Sequence, residues 1–290
     1  MAIFRDSKKQ RQLEREGIVK FPLLDGDTLK ELNTFFFNLH PNLPDRFYVC
    51  VESPDRDYKV SIHEKVKGQI EDSLDRQLQT YRPLVYTLQV KPTGDNSELG
   101  VHQDWSVTDE IKYRSYSLWI PLIDTNVENG GMFAIKGSHR ICTNTRGPSI
   151  PPPYHGHEEF LISKMEHIPV KAGEALIFDQ ATLHYTPPNR SDQPRVSIIS
   201  TIIEEDAQLR LYYLNQESDS KSLETYTAND QYWFDYTNYA EERFQRPAFG
   251  SLLDESPFSS EAFDPAIFSK QLKKQKRKML QEKLKDFITA

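Results

Sequence analysis

The sequence predicts a mainly β globule with flanking helices, of the sandwich or jelly-roll kind, and three observations predict it. From Leu84 onward, short runs rich in β-branched and aromatic residues are separated by clusters of Gly, Pro, Asn and Asp, which is the rhythm of strands and turns. The first ~80 residues, with apolar residues at helical spacing over Thr28 to Leu39, look like helical packing around an early strand, and the chain ends as a helix. Eighteen prolines, 12 glycines and 11% aromatic residues, against only 37% hydrophobic residues, suit a loop-rich fold whose core draws on Phe and Tyr. The 290 residues are read as one elaborated domain: a helical part over 1–80, a jelly-roll core with a metal site over 81–205, and an aromatic-rich flap with a C-terminal helix over 206–290.

Asp6 to Glu16 is polar and helix-prone, and Gly17-Ile18-Val19-Lys20-Phe21-Pro22 follows as a short strand closed by proline. Asp25-Gly26-Asp27 makes a turn and a cap for a helix over Thr28 to Leu39, with Leu29, Leu32, Phe35, Phe36 and Leu39 on one buried face. A second helix is expected across Lys65 to Thr80. The texture changes at Tyr81-Arg82-Pro83. Strands are then expected at Leu84 to Lys91, Ser117 to Ile123, Met132 to Ile135, His167 to Val170, Ala175 to Phe178 and Val196 to Ile203. Four prolines between Pro148 and Pro153 make Cys142 to Glu159 a long loop, and long loops in compact domains tend to be functional. Beyond Leu209, Tyr212, Tyr213, Tyr226, Tyr232, Trp233, Phe234, Tyr236 and Tyr239 describe a flap packed on the sandwich, with a wall of the substrate site as the other use. Phe268 to Phe287 reads as a helix whose Lys270, Lys273, Lys274, Lys276, Arg277 and Lys278 form a solvated face.

A net charge of −7 and a pI near 5.7 argue against nucleic acid as a partner, because phosphate binding rests on clustered Lys and Arg. The charged stretch from Arg5 to Glu16 lacks the apolar run of a secretory signal, and no window approaches the ~18 apolar residues of a membrane span. Cys50 and Cys142 are isolated, without metal-ligand or redox spacing. A cytoplasmic location is the expectation, with a small molecule as the partner.

The chemistry centres on Leu99-Gly100-Val101-His102-Gln103-Asp104-Trp105. If Val101 to Trp105 is extended, His102 and Asp104 point to one face, since side chains alternate with a period of two. His157-Glu158-Glu159 is a competing pattern, but it follows Pro151-Pro152-Pro153 in the long loop, where no strand fixes its geometry. A second run, Gly173 to His184, reads as a strand leading to a histidine. After a turn over Pro187 to Pro194, Arg195-Val196-Ser197-Ile198-Ile199 starts another, and a hairpin of this form sets His184 beside Arg195. Two histidines and a carboxylate make a facial triad with open positions for a bidentate co-substrate and oxygen. Arg195 offers a planar fork for the far carboxylate of such a co-substrate. Singly, His184 is a core or turn histidine and Arg195 a surface charge; the set, in this order and on expected strands, points to the metal.

These residues resemble the phytanoyl-CoA dioxygenase-like oxygenases. The resemblance runs from about Gly17 to Ile203, through Gly17-Ile18-Val19, His102-Gln103-Asp104, Trp119, Asn129-Gly130-Gly131, Gly137-Ser138-His139-Arg140, Gly173-Glu174, His184 and Arg195. It implies a double-stranded β-helix with Fe(II) at His102, Asp104 and His184. It implies 2-oxoglutarate as co-substrate, held by Arg195 and Thr186, and O2 as oxidant. Trp119 is implied to line the co-substrate pocket, its plain alternative being a core aromatic, and Gln89 to contribute from the preceding strand. His139 stays off the metal, since Gly-Ser-His closes a turn in the family.

The implied reaction is hydroxylation, or further oxidation, of an unactivated C–H in a small-molecule metabolite or biosynthetic intermediate. The rivals are a catalytically silent binding or sensor protein on the same scaffold and a halogenase, which Asp104 argues against. A zinc hydrolase would have no use for Arg195 and Thr186. Trp105, Asp109, Glu110, Tyr113 and Arg114 after the metal motif, and Arg146, His155 and His157 in the long loop, are the residues that could face substrate; for each, solvent exposure or ordinary packing is the plain alternative.

Overall fold

The computed structural model describes residues 2–216, 221–259 and 261–288. Helix α1 (Ser7–Glu16) starts where the Asp6 carboxylate accepts from Lys8 N at 2.7 Å and stops at Gly17 in the left-handed conformation. Strand β1 (Ile18–Pro22) follows. Asp25 caps α2 (Gly26–Leu39) by accepting from Thr28 N. Leu32 and Phe36 of α2 are fully buried, but Leu39 lies exposed at its end, so the apolar face is shorter than expected. After the two-residue strand β2 (Tyr48–Val49) comes α3 (Arg56–Asp75), displaced toward the N-terminus from the expected Lys65 to Thr80. Asp55 is the cap that sets its start, accepting from Tyr58 N. Thr80, at φ 48°, cannot continue a right-handed helix.

Strand β3 (Tyr81–Lys91) begins earlier than expected, because Pro83 sits opposite Ile202 where the register shifts and the ladder does not require its missing N–H. The chain continues through β4 (Leu99–His102), β5 (Ser115–Pro121), β6 (Phe133–Ala134), α4 (Glu158–Ile162), β7 (Glu166–His167), β8 (Glu174–Asp179), β9 (His184–Thr186) and β10 (Arg195–Glu204). The expected strand at His167 to Val170 shrinks to β7, ahead of Pro169. The expected loop at Cys142 to Glu159 ends in α4.

Two antiparallel sheets form the jelly roll, one in the order β1-β8-β5-β10-β3-β2 and the other β4-β9-β6-β7. Alternation along the strands of the larger sheet gives it two different faces. Leu88, Val90, Leu118, Ile120 and Ile198 share an apolar cluster with Leu32, Phe36, Ile62, Val66 and Ile70 of the helices. The alternating positions carry Thr87, Gln89, Lys91, Ser117, Arg195 and Ser197, all buried and all polar. Burying such a row without a function for it costs stability, so it marks an interior built to hold something polar.

Beyond Leu209 the chain forms β11 (Arg210–Asn215), β12 (Ser222–Thr227), α5 (Tyr232–Asp235), α6 (Tyr239–Glu242) and β13 (Leu252–Pro257), the three strands making a separate sheet that was not expected. Tyr226, Tyr232, Trp233, Phe234 and Tyr236 are buried with Val85, Ile203 and Leu209, so this flap packs on the jelly roll. The final helix α7 (Pro265–Ile288) buries Phe268 and Leu272 against Ile135 and Leu183 and leaves its Lys and Arg residues from Lys270 to Lys278 exposed. No helix among the described residues is long and apolar enough to cross a membrane.

Candidate metal centre

Pairing of β4 with β9 sets His102 directly opposite His184, with ring centroids 4.0 Å apart. The ladder ends at His102, short of the expected Trp105, yet the alternation persists. Gln103 points away and donates to Ala181 O at 2.6 Å and Cys142 O at 2.9 Å, which ties the motif to the segment before β9. Asp104 therefore returns to the side of His102. Its Oδ1 lies 3.7 Å from His102 Nε2 and 3.8 Å from His184 Nε2.

Each ring is fixed from behind. His102 Nδ1 lies 2.7 Å from Gly100 O and His184 Nδ1 2.9 Å from Thr182 O, so each Nδ1–H donates to a carbonyl and each Nε2 presents its lone pair toward Asp104. Burial first, and His184 second, bring the pKa of His102 down to about 4, which leaves the imidazole neutral, the form a metal needs. The Ser117 hydroxyl donates to Asp104 Oδ2 and leaves Oδ1 facing the histidines. Leu183, just before His184, is pinned on both sides, its N–H on Ser138 Oγ at 2.8 Å and its carbonyl accepting from Ile135 N at 3.0 Å. Among the described residues, His102, Asp104 and His184 form the group of ligand-type side chains close enough to share one ion, with ligand atoms within 4.8 Å of one another.

Arg195 is placed differently from expectation. Gln180 to Leu183 breaks the strand, so β8 stays in the larger sheet while β9 crosses to the smaller one. His184 and Arg195 are thus not hairpin neighbours; they line one cavity from opposite sheets. Arg195 is 1% exposed, its Nε and Nη1 have no hydrogen-bond partner, and no carboxylate among the described residues pairs with it. Burial pulls its pKa down to about 9, and its guanidinium lies 5.0 Å over the Trp119 ring. Thr186 Oγ1 is also buried without a partner. Trp119 Nε1 and Gln89 Nε2 both donate to Ser197 Oγ at 3.0 Å, so these two residues wall the cavity with their polar ends already engaged. Lys91 gives its protons to the carbonyls of Ser97, Thr186 and Pro187 and so anchors the end of β9.

The Asn129-Gly130-Gly131 motif acquires a physical reason here. Gly130 has φ +72°, and a Cβ on it would lie 2.6 Å from Lys91 Cδ and 2.6 Å from Pro187 O. Gly130→Ala is expected to lower stability by at least ~2 kcal/mol, from left-handed strain plus overpacking, read as a fall in the denaturant midpoint at constant m-value.

The cavity measures about 880 Å³ and is walled by Trp105, Pro148, Tyr154, Trp233 and Tyr239 as well as the residues above. Of the substrate-facing candidates, Trp105 and Arg146 line it. Arg146 is a strut, since its guanidinium binds Glu110, Asn144 O and, at 2.8 Å, Asp104 O. Asp109 pairs with Arg210 at 3.4 Å, Tyr113 packs under the flap, and Arg114 lies 4.0 Å from Asp179. His155 is exposed beside Glu158, and His157 sits against Phe263, so the competing His157-Glu158-Glu159 pattern lies at the start of α4 and away from the cavity. His139 is buried with Nε2 3.1 Å from Glu14 O, apart from the triad.

A model of the phytanoyl-CoA dioxygenase (PhyH) family matches residues 42–197, more than half of the sequence. The chain belongs to the phytanoyl-CoA dioxygenase family. It is 24% identical over 117 residues to a phytanoyl-CoA dioxygenase domain-containing protein 1 homolog of Dictyostelium discoideum, a match covering 38% of this chain and 42% of that one. The chain thus matches less than half the length of that relative. Among solved structures, the epimerase SnoN in complex with Fe3+, alpha ketoglutarate and nogalamycin RO superposes with a TM-score of 0.50 at 17% identity, covering 70% of this chain and 84% of that one. The non-heme alpha ketoglutarate dependent carbocyclase SnoK of nogalamycin biosynthesis gives 0.50 at 17%, covering 70% and 86%. At this identity the likeness establishes the shared fold.

Within the family framework, sequence reasoning missed Ser117, Ser138 and Lys91 as supports of the site. Ser138 stood inside the Gly-Ser-His motif. Ser117 and Lys91 were signalled by polar residues alternating with apolar ones in strands buried on both faces.

Proposed function

We propose that this chain is an Fe(II)- and 2-oxoglutarate-dependent dioxygenase acting on a small-molecule metabolite or biosynthetic intermediate. The observation that carries this reading is that two sets of groups open on one cavity: the converging ligand atoms of His102, Asp104 and His184, and the buried Arg195 and Thr186, whose Nε, Nη1 and Oγ1 lack hydrogen-bond partners among the described residues. The donor set fits iron, because two neutral imidazoles and one carboxylate leave coordination positions open. The unpartnered guanidinium fits a dicarboxylate, because a buried cation demands a counter-charge.

When bound, the iron and its co-substrate supply the oxidation of an unactivated C–H by O2. His102 and His184 are locked in one tautomer by their carbonyl partners, and Ser117 orients Asp104. Arg195 and Thr186 donate to the far carboxylate of 2-oxoglutarate, with Trp119 and Gln89 as the walls that hold it. Trp105, Trp233 and Tyr239 screen the cavity from water. Ser117→Ala is expected to weaken Fe(II) binding about 10–100-fold, as measured by anaerobic metal titration, because Asp104 loses the hydroxyl that aims it.

The alternative of a silent binding protein is separated by product formation. Purified protein with Fe(II), 2-oxoglutarate and O2 should form succinate, faster when a library of small metabolites includes the substrate. Binding of 2-oxoglutarate with no succinate under any such condition would favour the silent scaffold.

A further inference from the structure

Among the described residues four arginines line the cavity, and two of them are already neutralised. Arg46 pairs with Glu52 at 2.8 Å and Arg146 with Glu110. Arg195 is the one assigned above to 2-oxoglutarate. The fourth, Arg243, just past α6 and well outside the family match, has no ion-pair partner among the described residues. Its Nε is buried without a hydrogen-bond partner. Its guanidinium rests on the rings of Tyr239, at 5.0 Å, and Phe244, at 4.8 Å, and shares a side-chain hydrogen bond with the neutral Tyr239 hydroxyl, which leaves its charge uncompensated.

The surroundings extend this cation toward the metal. Trp105 follows Asp104 directly in the chain and stacks on Tyr239 at 6.1 Å and on Trp233 at 6.2 Å. Trp233 lines the same cavity, and its Nε1 is buried without a partner. A surface of aromatic rings thus runs from Trp105 to a guanidinium with no counter-charge and to an indole N–H with no hydrogen-bond partner among the described residues.

We propose that the substrate carries an anionic oxyacid group, a carboxylate or a phosphate, held by Arg243, while its apolar part lies on Trp105 and Tyr239. The proposal rests on the reading above only for the assignment of Arg195. A guanidinium backed by aromatic rings gives bidentate recognition of either oxyacid. A neutral substrate of the same shape would cover Arg243 while leaving its charge uncompensated, so the site discriminates against it.

The test uses the anaerobic Fe(II)- and 2-oxoglutarate-loaded protein, so that Arg195 is occupied. Calorimetric titrations compare hexanoate with hexanol and phenyl phosphate with phenol, in the wild type, Arg243→Ala, Arg243→Lys and Arg195→Met. At least one anion should bind about 10–100-fold more tightly than its neutral counterpart, the range for a hydrogen bond to a charged group. The hexanoate and phenyl phosphate arms tell carboxylate from phosphate. Arg243→Ala should abolish the preference, Arg243→Lys should keep part of it, and Arg195→Met should keep it while losing 2-oxoglutarate affinity. Equal binding of the anionic and neutral probes, no binding of either anion at millimolar concentration, or a preference that survives in Arg243→Ala would overturn the proposal. Normal 2-oxoglutarate affinity in Arg195→Met would instead count against the co-substrate assignment and leave the result at Arg243 readable.

Discussion

Replacing Arg195 by Met is expected to weaken 2-oxoglutarate binding by ~2–5 kcal/mol, the cost of removing one partner of a buried charge pair, while Fe(II) affinity changes little. The same substitution should raise the melting temperature of the protein without ligand. The reason is burial: Arg195 sits in the interior with two nitrogens unpartnered and no carboxylate paired with it among the described residues, and its pKa is pulled down to about 9 because the environment disfavours its charge. Met keeps the volume and removes the charge, so the folded state without ligand gains. The wild type should recover the difference when 2-oxoglutarate is added, through binding to the folded state alone. Isothermal titration and thermal unfolding with and without 2-oxoglutarate check both halves. Unchanged affinity in Arg195→Met would remove Arg195 from the co-substrate site.

Asp104→Ala is expected to lose most of its iron and nearly all of its activity. The carboxylate is the one anion in the triad, and its Oδ1 is the atom common to both histidine contacts. Its loss also frees the Ser117 hydroxyl that aims it, so the effect should exceed that of Ser117→Ala. The same residue bears on reaction type. Three protein ligands, a chelating co-substrate and O2 would together fill six positions and leave none for a halide, so product formed in high chloride or bromide should be hydroxylated or further oxidised. Metal analysis of Asp104→Ala and mass spectrometry of wild-type product are the measurements. Full iron occupancy with full activity in the variant, or halogenated product from the wild type, would show that Asp104 is not a ligand.

The legibility of the fold in the sequence differed by region for physical reasons. The strands from Leu84 to Ile203 were readable because both their composition and their punctuation by Gly, Pro, Asn and Asp agree with the sheet. The α3 start was placed too late: Ile62, Val66, Ile70 and Leu74 recur at helical spacing from before Lys65, and the Asp55 cap that fixes the first turn is a single side chain. Strands β11 to β13 were hidden by their polarity, since Ser222 to Thr227 buries the polar Glu224 and Thr225 and its partner Leu252 to Pro257 lies almost wholly exposed. At the site, the residue types and their order pointed to His102, Asp104, His184 and Arg195, which the fold brings to one cavity, whereas the spatial route between them did not follow. His184 and Arg195 look like hairpin neighbours in sequence, but the break at Gln180 to Leu183 sends β9 to the other sheet, a crossover that local pattern does not encode. Arg243 had no motif at all; what distinguishes it is the absence of an ion-pair partner among the described residues, which appears only when the partners of the other cavity arginines are known.

We propose that His102, Asp104, His184 and Arg195 form one site for iron and 2-oxoglutarate. Anaerobic titration of the purified protein with Fe(II) and then 2-oxoglutarate tests it most directly, read by the visible charge-transfer absorption of a chelated 2-oxo acid. A band that saturates at one Fe(II) and one 2-oxoglutarate per chain is the predicted result, absent in His184→Ala and shifted to much higher 2-oxoglutarate concentration in Arg195→Met. No band in the wild type, or a band unchanged in His184→Ala, would contradict it.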